Sequence, residues 1–198
     1  GYRYYDTAGV AVRFPFGHGL SYTTFAYRDL AAAPDGDRVT VRFKLKNTGP
    51  VPGQEIAQLY VRDVQSSAFR PDKELKGFAK VALAPGEETE VSLTLDWRAF
   101  AFYDAGRRDW VVEPGDFEIL VGASARDIRL RAGLHLAQGR GVPSAVDPAL
   151  LAAYYHPSKD RRFTLADFEA LLGRSLPAVV RPTKGSYTLN TPVCEMTD

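Results

Sequence analysis

The stretch Arg38 to Asn47, RVTVRFKLKN, alternates apolar and polar side chains without a break: Val39, Val41, Phe43 and Leu45 point one way, while Arg38, Thr40, Arg42, Lys44 and Lys46 point the other. A period of two keeps one face of a strand apolar, whereas the same order wound into a helix would scatter those residues around the axis. The pattern returns in TEVSLTLDW through Val91, Leu93 and Leu95. Between the apolar runs stand Pro34-Asp35-Gly36-Asp37, Asn47-Thr48-Gly49-Pro50, Ala84-Pro85-Gly86-Glu87, Asp104-Ala105-Gly106 and Glu113-Pro114-Gly115-Asp116. These residue types reverse a chain because Gly reaches positive φ, Pro fixes φ, and Asn and Asp hydrogen-bond their own backbone.

Seven or eight short strands so punctuated, from 26 to 136, predict an all-β domain: a two-sheet sandwich of the immunoglobulin or fibronectin type III class. A single cysteine, Cys194, rules out an intrachain disulfide, so the sandwich must be held by its core. Trp97, Phe100, Phe102, Trp110, Phe117, Ile119 and Val121 sit in or beside alternating runs and are expected to be its large members. Tyr60 and Tyr103 are the aromatics expected on the solvent side of a strand, where a sugar could stack.

Both flanks differ from this middle. Residues 1–25 carry six Tyr or Phe side chains before Phe25, with Gly17 and Gly19 around His18. Rings supply contact area and glycines allow close backbone approach, so the segment reads as an extended strap pressed between two bodies. His18 is expected to be buried and hydrogen-bonded there. Residues 137–198 read as a linker and a helical, then extended, tail. Asp147 and Pro148 suit the N-cap and first position of a short helix ended by Pro157. Thr164 and Asp167 have capping-box spacing ahead of Leu165, Phe168, Leu171 and Leu172 on one helical face, with Gly173 to close it. Pro177, Pro182 and Pro192 predict an extended end.

With 25 Lys and Arg against 24 Asp and Glu, interleaved and without a basic block, nothing electrostatic calls for nucleic acid or an anionic membrane. No apolar run approaches the roughly 18 to 20 residues that span a bilayer, so a soluble protein is expected, with its compartment left open. His18, His135 and His156 are scattered, with no HxH, HxxxH or HExxH spacing, and no metal or cofactor site is expected.

The blocks GYRYYD and FPFGHGLSYTTF at the start, ELKGFAKVALAPGE (Glu74 to Glu87) and RDWVVEPGDFEILVGAS (Arg108 to Ser124) carry a resemblance. In order and spacing they are similar to the fibronectin type III-like domain that follows the two catalytic domains in glycoside hydrolase family 3, the β-glucosidase-like enzymes. YTLNTPVCEMTD at the end resembles, less specifically, extensions found in some bacterial members. The resemblance implies that both ends lie within a longer polypeptide whose upstream catalytic domains are this region's partners and meet the β-glycoside substrate.

A retaining glycosidase of that family places two carboxyl groups about 5 to 5.5 Å apart on one sugar and needs no cofactor. The resemblance puts both groups in the upstream domains, and the carboxylates here have other expected tasks. Asp35, Asp37, Glu87, Asp104, Glu113 and Asp116 fall in turns, Asp147 and Asp167 at helix starts, Asp63 and Asp96 at strand ends. No catalytic, cofactor or metal residue is therefore assigned, and the expected role is a non-catalytic scaffold with a homo-oligomer allowed. The alternative is an independent carbohydrate-binding or adhesion module, which would show exposed coplanar aromatics and need no strap.

Overall fold

The computed structural model describes residues 1–177 and 185–195. Two compact units emerge, 1–161 and 162–198. Strands β1 (Phe25–Asp35), β2 (Arg38–Asn47), β3 (Gly53–Asp63), β4 (Glu74–Leu83), β5 (Glu88–Asp96), β6 (Phe102–Asp104), β7 (Asp109–Val111), β8 (Gly115–Gly122) and β9 (Ile128–Leu136) build the first. A three-stranded sheet in the order β1-β2-β5 faces a four-stranded sheet in the order β4-β3-β8-β9, and β6-β7 forms a separate hairpin. All the strand pairs are antiparallel, which is the fibronectin type III-like sandwich expected. Each of the five turn signals falls at a junction between consecutive strands.

Period two decides which side chains enter the core. Val39, Val41, Phe43 and Leu45 of β2 are buried, and across the sandwich Ala57, Leu59 and Val61 of β3 and Phe117, Ile119 and Val121 of β8 meet them. Burying each large side chain contributes about 1.5–3 kcal/mol. Phe100 stands edge-on to Phe117, with ring centres 5.2 Å apart. Trp97, Phe102 and Trp110 correct the expectation, being only half-buried. Trp110 lies on a two-stranded hairpin outside both sheets, so a second sheet never covers its outer face.

Strand β3 departs from simple alternation: Ala57 to Val61 are all buried. Its outward residues Gln58 and Tyr60 are covered by the N-terminal segment. Residues Tyr2–Thr7 are not extended but form a short helix, α1, in which Tyr2 and Asp6, four apart, share the face that meets the sandwich. Six residues cannot hold a helix in water alone, so these contacts must stabilise it.

Beyond β9 the expected helix at Asp147 is shorter than its sequence pattern. Asp147 accepts from Ala149 N at 2.9 Å, closing a turn, and α2 covers only Ala152–Tyr155. In the second unit α3 (Leu165–Leu172) is as expected: Thr164 and Asp167 close a capping box, and Gly173 ends the helix at φ 71°, where a Cβ would be strained. Leu165, Phe168, Leu171 and Leu172 remain exposed. Pro177 and Pro192 lie in no regular element, and Pro182 falls outside the described residues.

Candidate functional site

The outer face of the four-stranded sheet is where the sequence has placed side chains that the core does not use. Tyr60, Leu120 and Ala125 form a small buried cluster there, closed by Tyr2 of α1. Tyr2 lies edge-on to Tyr60 and stacks on Phe16 at 4.5 Å, while its hydroxyl accepts from Leu75 N at 2.8 Å. Tyr60 was expected in solvent; it is fully buried because α1 lies over it. Burial pushes its phenol pKa well above the ordinary value.

Gln58 ties the strap down. Its Nε2 donates to Gly17 O at 3.0 Å and to Ala123 O at 2.9 Å, and its Oε1 accepts from Tyr60 Oη at 2.6 Å. Gly17 sits at φ 78°, and any Cβ there would collide with the Gln58 carboxamide, so backbone freedom and close approach both demand glycine. Next to it Ala125 N donates to Phe16 O at 2.8 Å. Ionic contacts hold α1 as well. The buried Asp6 carboxylate meets Arg126 Nε at 2.8 Å through one oxygen and Lys73 Nζ at 3.1 Å through the other, the latter off the hydrogen-bond direction. Arg126 also donates to the carbonyls of Tyr5 and Val10.

The far end of the strap is fixed by Asn47, which is completely buried. Its Oδ1 accepts from Thr23 Oγ1 at 2.6 Å and Gly49 N at 3.0 Å, and its Nδ2 donates to Val51 O and Leu83 O at 2.8 and 3.1 Å. Between these anchors the chain exposes apolar side chains. Tyr22 is 100% exposed, Leu20 94% and Phe14 69%; on the same sheet face Phe78, directly opposite Gln58 in β4, is 65% exposed. His18 corrects the expectation of burial: it is exposed and stacks on Phe14 at 5.5 Å.

Beside the strap opens a cleft of about 400 Å³ lined by His18, Leu20, Thr24, Tyr27, Glu55 and Arg129, among others. Tyr27 Oη donates to Glu55 Oε1 at 3.0 Å, and burial pushes the Glu55 carboxyl above the usual range despite that bond. Asp127 at the same cleft is held below its usual range by hydrogen bonds from Arg129. Each of these two carboxylates therefore has a fixed partner.

Several other carboxylates are similarly engaged. Asp104 accepts from Gly106 N, Arg107 N, Ser144 N and Ser144 Oγ, and Glu113 from Ser66 Oγ and Ser67 N. Asp116 meets His135 Nδ1 at 2.7 Å. Asp63 does more than end a strand. It forms a buried pair with Arg70 at 2.9 Å, and Arg70 also reaches Glu74 at 3.2 Å. Among the described residues no group of three His, Cys, Asp or Glu could hold a metal, and no helix is long and apolar enough to cross a membrane. Sequence reasoning passed over Asp6, Gln58, Lys73 and Arg126, and took Asn47 only as a turn residue. For Gln58 a signal existed: a polar residue amid the apolar run of β3, at a position facing away from the core.

The fibronectin type III-like domain family matches residues 55–125. Thermostable β-glucosidase B of Acetivibrio thermocellus is 54% identical over 140 residues, covering 69% of this chain and 18% of that protein. An exo-α-(1→6)-L-arabinopyranosidase of Bifidobacterium breve is 48% identical over 129 residues, covering 65% and 17%. Among solved structures, the GH3 β-glucosidase of Bifidobacterium adolescentis superposes with a TM-score of 0.70 at 43% identity, covering 74% of this chain and 22% of that one. The chain thus spans about a fifth of the length of such relatives. In sequence and fold it is a fibronectin type III-like region of glycoside hydrolase family 3, of the kind carried by β-glucosidases.

Proposed function

We propose that this region is a non-catalytic scaffold of a retaining β-glycosidase, docked through its strap and outer sheet face onto the catalytic domains upstream. The observation that carries the proposal is the contrast within residues 1–25. Tyr2, Asp6, Gly17 and Thr23 are fastened to the sandwich, whereas Phe14, Leu20 and Tyr22 between them are bare. Large apolar side chains left bare along a tethered segment mark an interaction surface. On this reading the strap, 1–25, hands the chain from the catalytic body to the sandwich, 26–136, and the tail, 137–198, extends the contact. The hydrolysis is assigned to the upstream domains, and Glu55 and Asp127 serve the sandwich by tying to Tyr27 and Arg129.

The two-part experiment expresses the catalytic portion and this chain separately. Mixed, they should co-elute and the catalytic portion should gain thermal stability; Tyr22→Asp with Phe78→Asp should abolish both effects while the sandwich still melts cooperatively. Co-elution unaffected by the charged pair would refute docking through this face.

A further inference from the structure

Away from the strap face, the β6-β7 hairpin and the turn before it carry an alternating row of rings and guanidinium groups. Tyr103 and Trp110 are register partners in the hairpin, with ring centres 5.6 Å apart at 71°. The Arg98 guanidinium lies 4.1 Å from the Trp110 ring centre and 5.8 Å from that of Trp97. Arg140 covers Trp97 at 4.6 Å. Both tryptophans pack against the main core from the half-exposed side, so the row Tyr103–Trp110–Arg98–Trp97–Arg140 is seated on a rigid base. A groove of about 290 Å³ runs beside it, lined by Arg38, Asp37, Gln138 and Arg140 together with Trp97.

Holding a guanidinium over a ring uses none of its five N–H donors. Arg98 has no carboxylate within 4.0 Å and donates no side-chain hydrogen bond among the described residues. The nearest acid to Arg140 is Asp37 at 3.7 Å, with both side chains about half exposed, a contact too long and wet to occupy the fork. Arg38 and Arg140 line the groove with Asp37, and Arg98 over the two tryptophans adds a third guanidinium beside them, so three arginines stand against Asp37 and Asp96. Guanidinium forks bind carboxylates and tetrahedral oxyanions through paired hydrogen bonds. Tyr103, 52% exposed at the end of the row, offers a ring to the C–H face of a pyranose, and Gln138 an amide to its hydroxyls.

We propose that this row and groove bind an acidic polysaccharide, a chain of sugars bearing carboxylate or sulfate groups. An acidic peptide would satisfy the arginines equally, but it makes no use of the exposed Tyr103 ring, and the relatives that share this region act on sugars. The site is independent of the strap face and requires no catalytic domain.

Affinity electrophoresis of the chain in gels containing polygalacturonate, a neutral β-glucan or dextran sulfate tests this, with thermal melts of every variant. Retardation is expected in polygalacturonate and in dextran sulfate, whose sulfates accept the same paired hydrogen bonds, and none in the neutral glucan. Arg98→Lys keeps the charge over Trp110 but loses the fork, and should weaken binding at least about tenfold with an unchanged melt. Tyr103→Ala should weaken binding and also leave the fold intact. No retardation of the parent chain by polygalacturonate overturns the proposal. An Arg98→Lys chain that binds undiminished overturns it too, since charge alone would then suffice.

Discussion

Asn47 shows how much a single buried side chain can organise. All of its amide hydrogen-bonding groups are used, and they join the end of β2 to the strap through Thr23, to the following turn through Gly49 and Val51, and to β4 through Leu83. Asn47→Leu would strand two carbonyls, one N–H and one hydroxyl. At about 1–3 kcal/mol for each unmet buried group, a loss of at least 3 kcal/mol is expected, read as a lowered denaturation midpoint at constant m. Asn47→Asp separates geometry from size. The ionised carboxylate would face the carbonyls of Val51 and Leu83, so its pKa in the folded state should rise; stability should then be highest in mild acid and fall as pH increases. Glu74 titrates in the opposite sense. Burial alone would push its carboxyl up, but Lys76, Arg3 and Arg70 outweigh it and the pKa is lowered. Its contribution is therefore present above the ordinary glutamate range and is lost as pH falls through the depressed folded value. Thermal melts from neutral to acid pH should show that loss in the parent chain and not in Glu74→Gln.

At the scale of elements, α1 and the β6-β7 hairpin are the two pieces whose stability depends on what lies beneath them. For α1, removing the Tyr2 ring uncovers Tyr60 and frees Phe16. Tyr2→Ala should make residues 1–22 the first site of limited proteolysis while the sandwich melt moves little, and equal protection of that segment in parent and variant would show that Asp6 and Gln58 suffice. For the hairpin, half-burial of Trp110 under Arg98 predicts that Trp110→Ala costs about 1–3 kcal/mol, below the 3–5 kcal/mol of a fully buried ring. The seven sandwich strands were legible because alternation and turn residues are local properties, and the capping box of α3 was legible for the same reason. What α1, His18, Tyr60 and Trp110 do was not, since each depends on which distant segment covers it. Tyr60 alternates like a solvent-facing residue and is buried only because Tyr2 reaches it from 58 positions away in sequence. Asp147 closes the turn its sequence promises, but the helix itself begins only at Ala152, with Leu151 rather than Asp147 at its N-terminus.

For the molecule as a whole, the sandwich needs nothing further to complete its core, while its strap face does. Phe14, Leu20, Tyr22 and Phe78 are exposed and Phe16 is half exposed, and large apolar side chains gathered on one segment and sheet face mark surfaces that bind a partner. Two outcomes follow for the isolated chain. It should turn over no aryl β-glucoside, and if turnover persisted through purification, its disappearance in Glu55→Gln or Asp127→Asn would place chemistry in the cleft after all. It should also associate with itself as concentration rises, because a second copy is the apolar surface at hand when the catalytic body is missing. Sedimentation velocity over a hundredfold range of concentration reads this directly. The parent chain should shift toward dimer, and Leu20→Ser with Tyr22→Ser should hold it monomeric without changing its melt, since neither side chain contributes to the core. A parent chain that stayed monomeric throughout would mean that these residues tolerate water on their own, and the strap would then be a tether rather than a docking surface.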